Sequence, residues 1–201
     1  MAETVRTPQQ QRAIDKKNRI IEAGYKLFAE KGYYNTNTAE IAKEAGVSTG
    51  IVYGYFHDKR DILVDVLDIY TEQVISPIVS MFDDLSSPID FDYLINRSID
   101  CVLKIHANNA AIHEALHALT HTDEAVQLKF LSIEDGLTQQ ICDRLIECGY
   151  LAKGLAEKVH LAIQTVQTYA HECVFDNHDY IDYDVLRAHV VNMLKDLFAE
   201  R

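Results

Sequence analysis

Residues 36–59, TNTAEIAKEAGVSTGIVYGYFHDK, constrain the chain most. The spacing predicts two short helices joined by a tight turn. Ile41, Ala42 and Ala45 give the first an apolar stripe at helical spacing. Asn37 or Thr38 can cap its open N–H groups, and Gly46 ends it because glycine accepts a left-handed conformation without steric cost. Val47 can bury in the angle, and Ser48 is a good N-cap for a second helix over residues 49–56. Such a pair is a helix-turn-helix, whose second helix enters the major groove of DNA.

The second helix has an unusual surface. Val52 and Phe56 lie four apart and can face the core, with Ile51 partly covered, which leaves Thr49, Gly50, Tyr53 and Tyr55 outward. Gly50 and Gly54 each cost roughly 1 kcal/mol relative to alanine inside a helix, so a stretch selected only for helix stability would avoid them. A surface that lets a nucleic-acid backbone come close has a use for them. Tyrosine hydroxyls can donate to phosphates, and Lys59 follows as a phosphate anchor. The plainer alternative is an ordinary helical hairpin carrying two surface tyrosines.

The same residues carry a family resemblance. AGVSTGIVYGYFHDKRDIL resembles the signature of the TetR family of bacterial repressors, a helix-turn-helix followed by Tyr-x-Tyr/His-Phe, two residues and a lysine. LFAEKGYYNTNTAEIAKEAG is similar to the family's first helix, its terminal glycine and the Thr-rich lead into the second; the likeness runs from about Arg19 to Leu63. By position it implies phosphate contacts from Thr38, Tyr53, Tyr55 and Lys59, a DNA-binding position at Ser48, and base-facing positions at Thr49, Gly50 and Ile51. Gly50 and Ile51 offer no side-chain hydrogen bonds, so Thr49, thymine methyls and groove shape would share the discrimination. The resemblance further implies a TetR-like, all-α homodimer that binds a palindromic double-stranded operator. A small-molecule inducer would release it.

Composition agrees with an all-α fold of about nine helices. A chain of 201 residues with 48% hydrophobic content can build a packed core, and it holds only three prolines and eight glycines. No run of eighteen apolar residues predicts a membrane span, and MAETVRTPQQQRAIDKKNR lacks the apolar stretch of a secretory signal, so a cytoplasmic protein is expected. Cys101, Cys142, Cys148 and Cys173 have no C-x-x-C spacing and read as reduced core thiols. The net charge of −12 argues against DNA binding until its distribution is seen. Residues 1–60 hold 10 Lys/Arg against 7 Asp/Glu, whereas the remaining 141 hold 9 against 24, or +3 against −15. That asymmetry suits a DNA-binding head, residues 1–60, on an acidic effector-binding and dimerisation body, residues 61–201.

Along the chain, residues 1 to about 10 are polar. Arg6, Arg12, Lys16, Lys17 and Arg19 make the lead-in basic, as a solvated tail or as a DNA-contacting arm. A first helix is expected from about residue 9 or 11 to 31. Asp58 can cap a fourth, which Pro77 should kink or break. Ser86, Ser87 and Pro88 mark a loop; helices follow near 91–106, 110–119, 124–148 and 155–175, and a last one carries Leu186, Val190, Met193, Leu194 and Leu197. The final pair is widely striped, and packed on a twofold mate it would form a four-helix bundle.

His106, His113, His117 and His121 are spaced by seven, four and four, and on one continuous helix they would share a face. Residues 113–117 read HEALH, the H-E-x-x-H zinc-protease pattern, with Glu114 as general base. The motif is short, and neither a third ligand nor an open cleft is visible, so no catalytic metal or cofactor is expected. The readings left are histidines of an amphipathic helix or a sensory role, either binding a regulatory metal or lining an effector pocket, where Cys101, His106, His113, His117, Phe130 and Tyr169 are the candidates.

Overall fold

The computed structural model describes residues 8–83 and 85–199; the polar leading residues 1–7, Arg6 among them, lie outside that range. Among the described residues there are nine helices and no strand: α1 (Pro8–Lys31), α2 (Thr38–Glu44), α3 (Thr49–Tyr53), α4 (Lys59–Ser80), α5 (Phe91–Asn108), α6 (Ala110–Thr120), α7 (Glu124–Glu147), α8 (Leu155–Val174) and α9 (Tyr183–Phe198). None of these helices is long and apolar enough to cross a membrane. Packing divides them into two units. Described residues up to Thr71 join Ala111–Val126 in one, and Glu72–Ala110 joins the residues from Gln127 onward in the other. The packing division therefore falls later in α4 than residue 60, and it takes α6 into the first unit.

In the first unit, α1 turns Ile20, Ala23, Leu27 and Phe28 inward and stops at Gly32, whose φ is +80°. Asn37 caps α2 in a full capping box with Glu40: each side chain accepts from the other's backbone N–H, at 3.0 and 3.1 Å. Gly46, φ +67°, ends the turn. Asp58 caps α4 by accepting from the Asp61 N–H at 3.0 Å, as the sequence led one to expect. One expectation fails, and of the kink or break expected at Pro77 the break does not occur. The second helix of the motif ends at Tyr53 rather than residue 56, because the chain tightens at Gly54: the Gly54 and Tyr55 N–H groups bond three residues back, to Ile51 and Val52. Nor does Pro77 break α4, which continues to Ser80, where the hydroxyl donates to the Pro77 carbonyl at 3.0 Å. A proline this close to a C-terminus removes only one amide from the ladder.

Asp123 joins three parts of the first unit. It caps α7 by accepting from the Ala125 and Val126 N–H groups at 3.0 and 3.2 Å, and it takes a two-pronged ion pair from Arg60, with Nη2 at 2.8 Å. The Arg60 guanidinium, helped by those amides, holds the Asp123 carboxyl below the usual carboxylate range. A lowered folded-state pKa adds stability above the unfolded value, and that stability disappears as pH falls through the folded value. The Asp123→Asn variant should therefore be less stable than the parent at pH 7, and the gap should close on acidification. Urea melts at a series of pH values check this; a gap independent of pH rules it out.

In the second unit, α5 packs on α8 and α9. Tyr150, buried after Gly149, donates its hydroxyl to the Phe198 carbonyl at 2.7 Å and fixes the end of α9. Leu161 on α8 and Val185 and Met193 on α9 are more than half exposed.

Candidate nucleic-acid interface

Helix α3 is held by its own backbone and by α2. The Ser48 carbonyl accepts from the Ile51 and Val52 N–H groups at 2.9 and 3.3 Å, while the Ser48 hydroxyl makes no cap bond and the residue is exposed. Val52 and Phe56 are buried, at 0% and 4% exposure, and Ile51 is half-buried, the division the sequence predicts. Outside lie Gly50, exposed, and Tyr53, 56% exposed, with Thr49 and Tyr55 half-buried beside them. The Tyr53 hydroxyl shares a hydrogen bond of 3.1 Å with Thr38 Oγ1. Thr38 opens α2 and Tyr53 closes α3, so the two hydroxyls sit together on the open side of the motif, where each keeps lone pairs for an incoming group.

Lys59 behaves differently from a freely projecting anchor. Its ammonium donates to the carbonyls of Tyr33 and Thr36, both at 2.7 Å, and lies 4.2 Å from the centre of the Tyr33 ring. Partial burial pulls its pKa below the usual lysine value. Thr36, only 2% exposed, donates its own hydroxyl to the Gly32 carbonyl at 3.0 Å. Lys59 thus ties the loop between α1 and α2 to the first turn of α4.

The histidines do not form one stripe. Asn109 closes α5, its side-chain amide donating to the Ile105 carbonyl at 2.9 Å, so His106 belongs to the second unit and His113 and His117 to the first. His106 is buried and bonds the Val102 carbonyl at 2.9 Å; burial lowers its pKa. His113, also buried, shares a hydrogen bond of 2.6 Å with the Tyr70 hydroxyl, and its ring stands 4.3 Å from that of His117. Among the described residues no group of three or more His, Cys, Asp or Glu could hold a metal ion. Burial raises the Cys101 thiol, which keeps it protonated.

The second unit holds a partly open apolar cavity of about 80 Å³ between α5, α7, α8, α9 and the end of α4. None of the six residues proposed for an effector lines it. Phe82 and Phe91 do, and its polar side chains are Ser98 and Gln167. Sequence reading missed these two because each interrupts an apolar stripe by a single position. Tyr169 instead borders an open groove with Leu161 and Tyr180.

Comparison with known proteins bears on the first unit most directly. Residues 20–66 match the family model described as bacterial regulatory proteins, tetR family. The HTH-type transcriptional regulator HbdR of Aromatoleum sp. is 48% identical over 64 residues, which are 30% of this chain and 28% of that protein. An HTH-type transcriptional regulator of Staphylococcus aureus is 33% identical over 107 residues, 53% of this chain and 56% of that one. The chain spans between 25% and 64% of the length of the first curated relatives it matches. The structure of the fatty acid degradation regulator FadR from Bacillus halodurans superposes with a TM-score of 0.61, covering 89% of this chain and 94% of that one; at 23% identity the likeness is one of fold. The matched segment contains the whole helix-turn-helix, and over residues 20–66 the chain is similar to the tetR family of bacterial regulatory proteins.

Proposed function

We propose that the chain is a ligand-responsive DNA-binding transcriptional regulator, a repressor that leaves a palindromic operator when a small molecule binds. The reading is carried by the outward surface of α3, where the joined Thr38 and Tyr53 hydroxyls stand beside Thr49 and Gly50. Thr38, Ser48, Tyr53 and Tyr55 contact phosphates, and Thr49, Gly50 and Ile51 face base edges. Lys59 contributes chiefly by shaping the head. Residues 1–60 supply this interface, and residues 61–201 bind the effector and dimerise through α8 and α9. The exposed Leu161, Val185 and Met193 support that face as the one covered by a second copy. A dimer is also what paired half-sites require. Effector binding favours a state in which α4 holds the two heads at a separation that no longer fits successive major grooves.

The test begins with duplexes enriched from a random pool and follows binding by fluorescence anisotropy at several salt concentrations. The expected result is a steep loss of affinity with salt. Tyr53→Ala should weaken the complex about tenfold, the size of one good contact, and leave the melting curve unchanged. A pool that yields no preferred duplex, or an affinity indifferent to salt, ends this reading.

A further inference from the structure

The cavity of the second unit is built for a particular kind of molecule. Ile141, Val159 and Ile163 are typical of its walls, and no charged side chain lines it among the described residues. An ionised carboxylate or ammonium placed there loses its water and gains no partner, which strongly disfavours binding. Two of the three lining rings are engaged with one another: Phe91 stacks on Phe198 at 5.0 Å with their planes 10° apart, and the Tyr150 ring meets Phe91 edge-on at 4.9 Å. Phe82 is the third, and one ring offers a cation about 0.5–2 kcal/mol, less than the cost of burying its charge.

The polar groups narrow the class further. Ser98 donates its hydroxyl to the Leu94 carbonyl at 2.8 Å, within α5. Its oxygen is then an acceptor toward the cavity, while Gln167, half-buried on α8, brings both a donor and an acceptor. The volume of about 80 Å³ sets the size, since one water-sized atom takes about 10–15 Å³ of such space.

We infer that this cavity takes an uncharged molecule of about six to eight heavy atoms, apolar except for one hydroxyl or carbonyl group that pairs with Ser98 and Gln167. The inference rests on the regulator reading for its biological role only, and it names the effector class. A larger ligand of the same class either extends through the mouth or displaces a wall. Ile78 and Phe82 form the wall that comes from the last turn of α4 and just beyond, on the helix that begins at Lys59 in the head. Pressure there is the direct route from ligand to α4.

The test is a calorimetric titration of the full chain, without DNA, using 1-hexanol, hexanoate, hexylammonium and toluene at neutral pH. Saturable binding of 1-hexanol is expected, with hexanoate and hexylammonium at least about tenfold weaker because each would bury an unpaired charge. Ala162→Leu, which fills the cavity, should weaken 1-hexanol and toluene alike by a similar factor while the protein still melts cooperatively. Ser98→Val should weaken 1-hexanol and spare toluene. Charged analogues that bind as tightly as the alcohol overturn the inference, as does a filled variant that binds both neutral probes unchanged. Because no DNA is present, loss of operator binding leaves these results standing. A chain that binds its operator and rejects 1-hexanol defeats the ligand class alone.

Discussion

Replacing Gly50 by valine should leave the head folded and lower its affinity for operator DNA about 100-fold, the loss of two base contacts at about 1–3 kcal/mol each. Nothing in the fold requires a glycine there. A Cβ built at Gly50 meets only Ser48 Oγ, at 3.9 Å, and its φ is not in the left-handed region. A glycine kept inside α3 without a packing reason sacrifices about 1 kcal/mol of helix stability, so Gly50→Ala should raise the stability of the head by up to that amount. Gly24 behaves in the opposite way. A Cβ there stands 2.7 Å from Ile62 Cγ2, and Ile62 is fully buried and stiff at χ1. Gly24→Ala should therefore destabilise by about 1–3 kcal/mol, despite alanine's better helix propensity. The two glycines separate packing from recognition. Denaturation and anisotropy on the three variants check the set. A Gly50→Val protein that binds its operator within a factor of a few would mean that α3 does not approach DNA through this face.

The parts of the fold that were legible in advance are the local ones. Asn37 and Asp58 each cap a helix through an amide three residues on, and Gly32, Gly46 and Gly149 all take positive φ where a helix stops. Such punctuation depends on a few neighbouring residues, so sequence alone carries it. The end of α3 was less legible: Val52 and Phe56 are buried whether the last turn is α-helical or tighter, so the apolar spacing looks the same. The histidine stripe required one continuous helix, and the break expected between residues 106 and 110 is there, with Asn109 closing α5. The cavity is harder still. It is the space left over among five helices, set by small mismatches in packing that no single stretch encodes. Its two polar groups come from α5 and α8, far apart in sequence. In the same way, a lysine's long stem lets its charge reach outward or inward, and the choice depends on which carbonyls elsewhere lack partners.

That choice at Lys59 leads to the largest expected change in stability. The Tyr33 and Thr36 carbonyls lie in the loop between α1 and α2, outside the helical ladders; the Tyr33 carbonyl accepts a long bond from the Thr36 N–H at 3.3 Å, and the Lys59 ammonium holds both carbonyls at 2.7 Å. Methionine keeps most of the stem and removes the charge. Lys59→Met should thus leave two part-buried carbonyls poorly served, a loss of about 2–6 kcal/mol at about 1–3 kcal/mol for each group. Against a total stability of about 5–15 kcal/mol, that is enough to unfold a visible fraction of heads on mild warming. Arginine should rescue little, because its planar fork does not reproduce three tetrahedral N–H directions over the Tyr33 ring. A lysine that served only as a phosphate anchor would behave otherwise. Its removal would spare the melting curve and reduce the slope of log affinity against log salt by about 0.9, the share of one phosphate contact. Urea melts together with salt-titrated anisotropy therefore decide the matter: a lower midpoint with a nearly unchanged salt slope is expected, and an unchanged midpoint with a smaller slope would return Lys59 to the DNA surface.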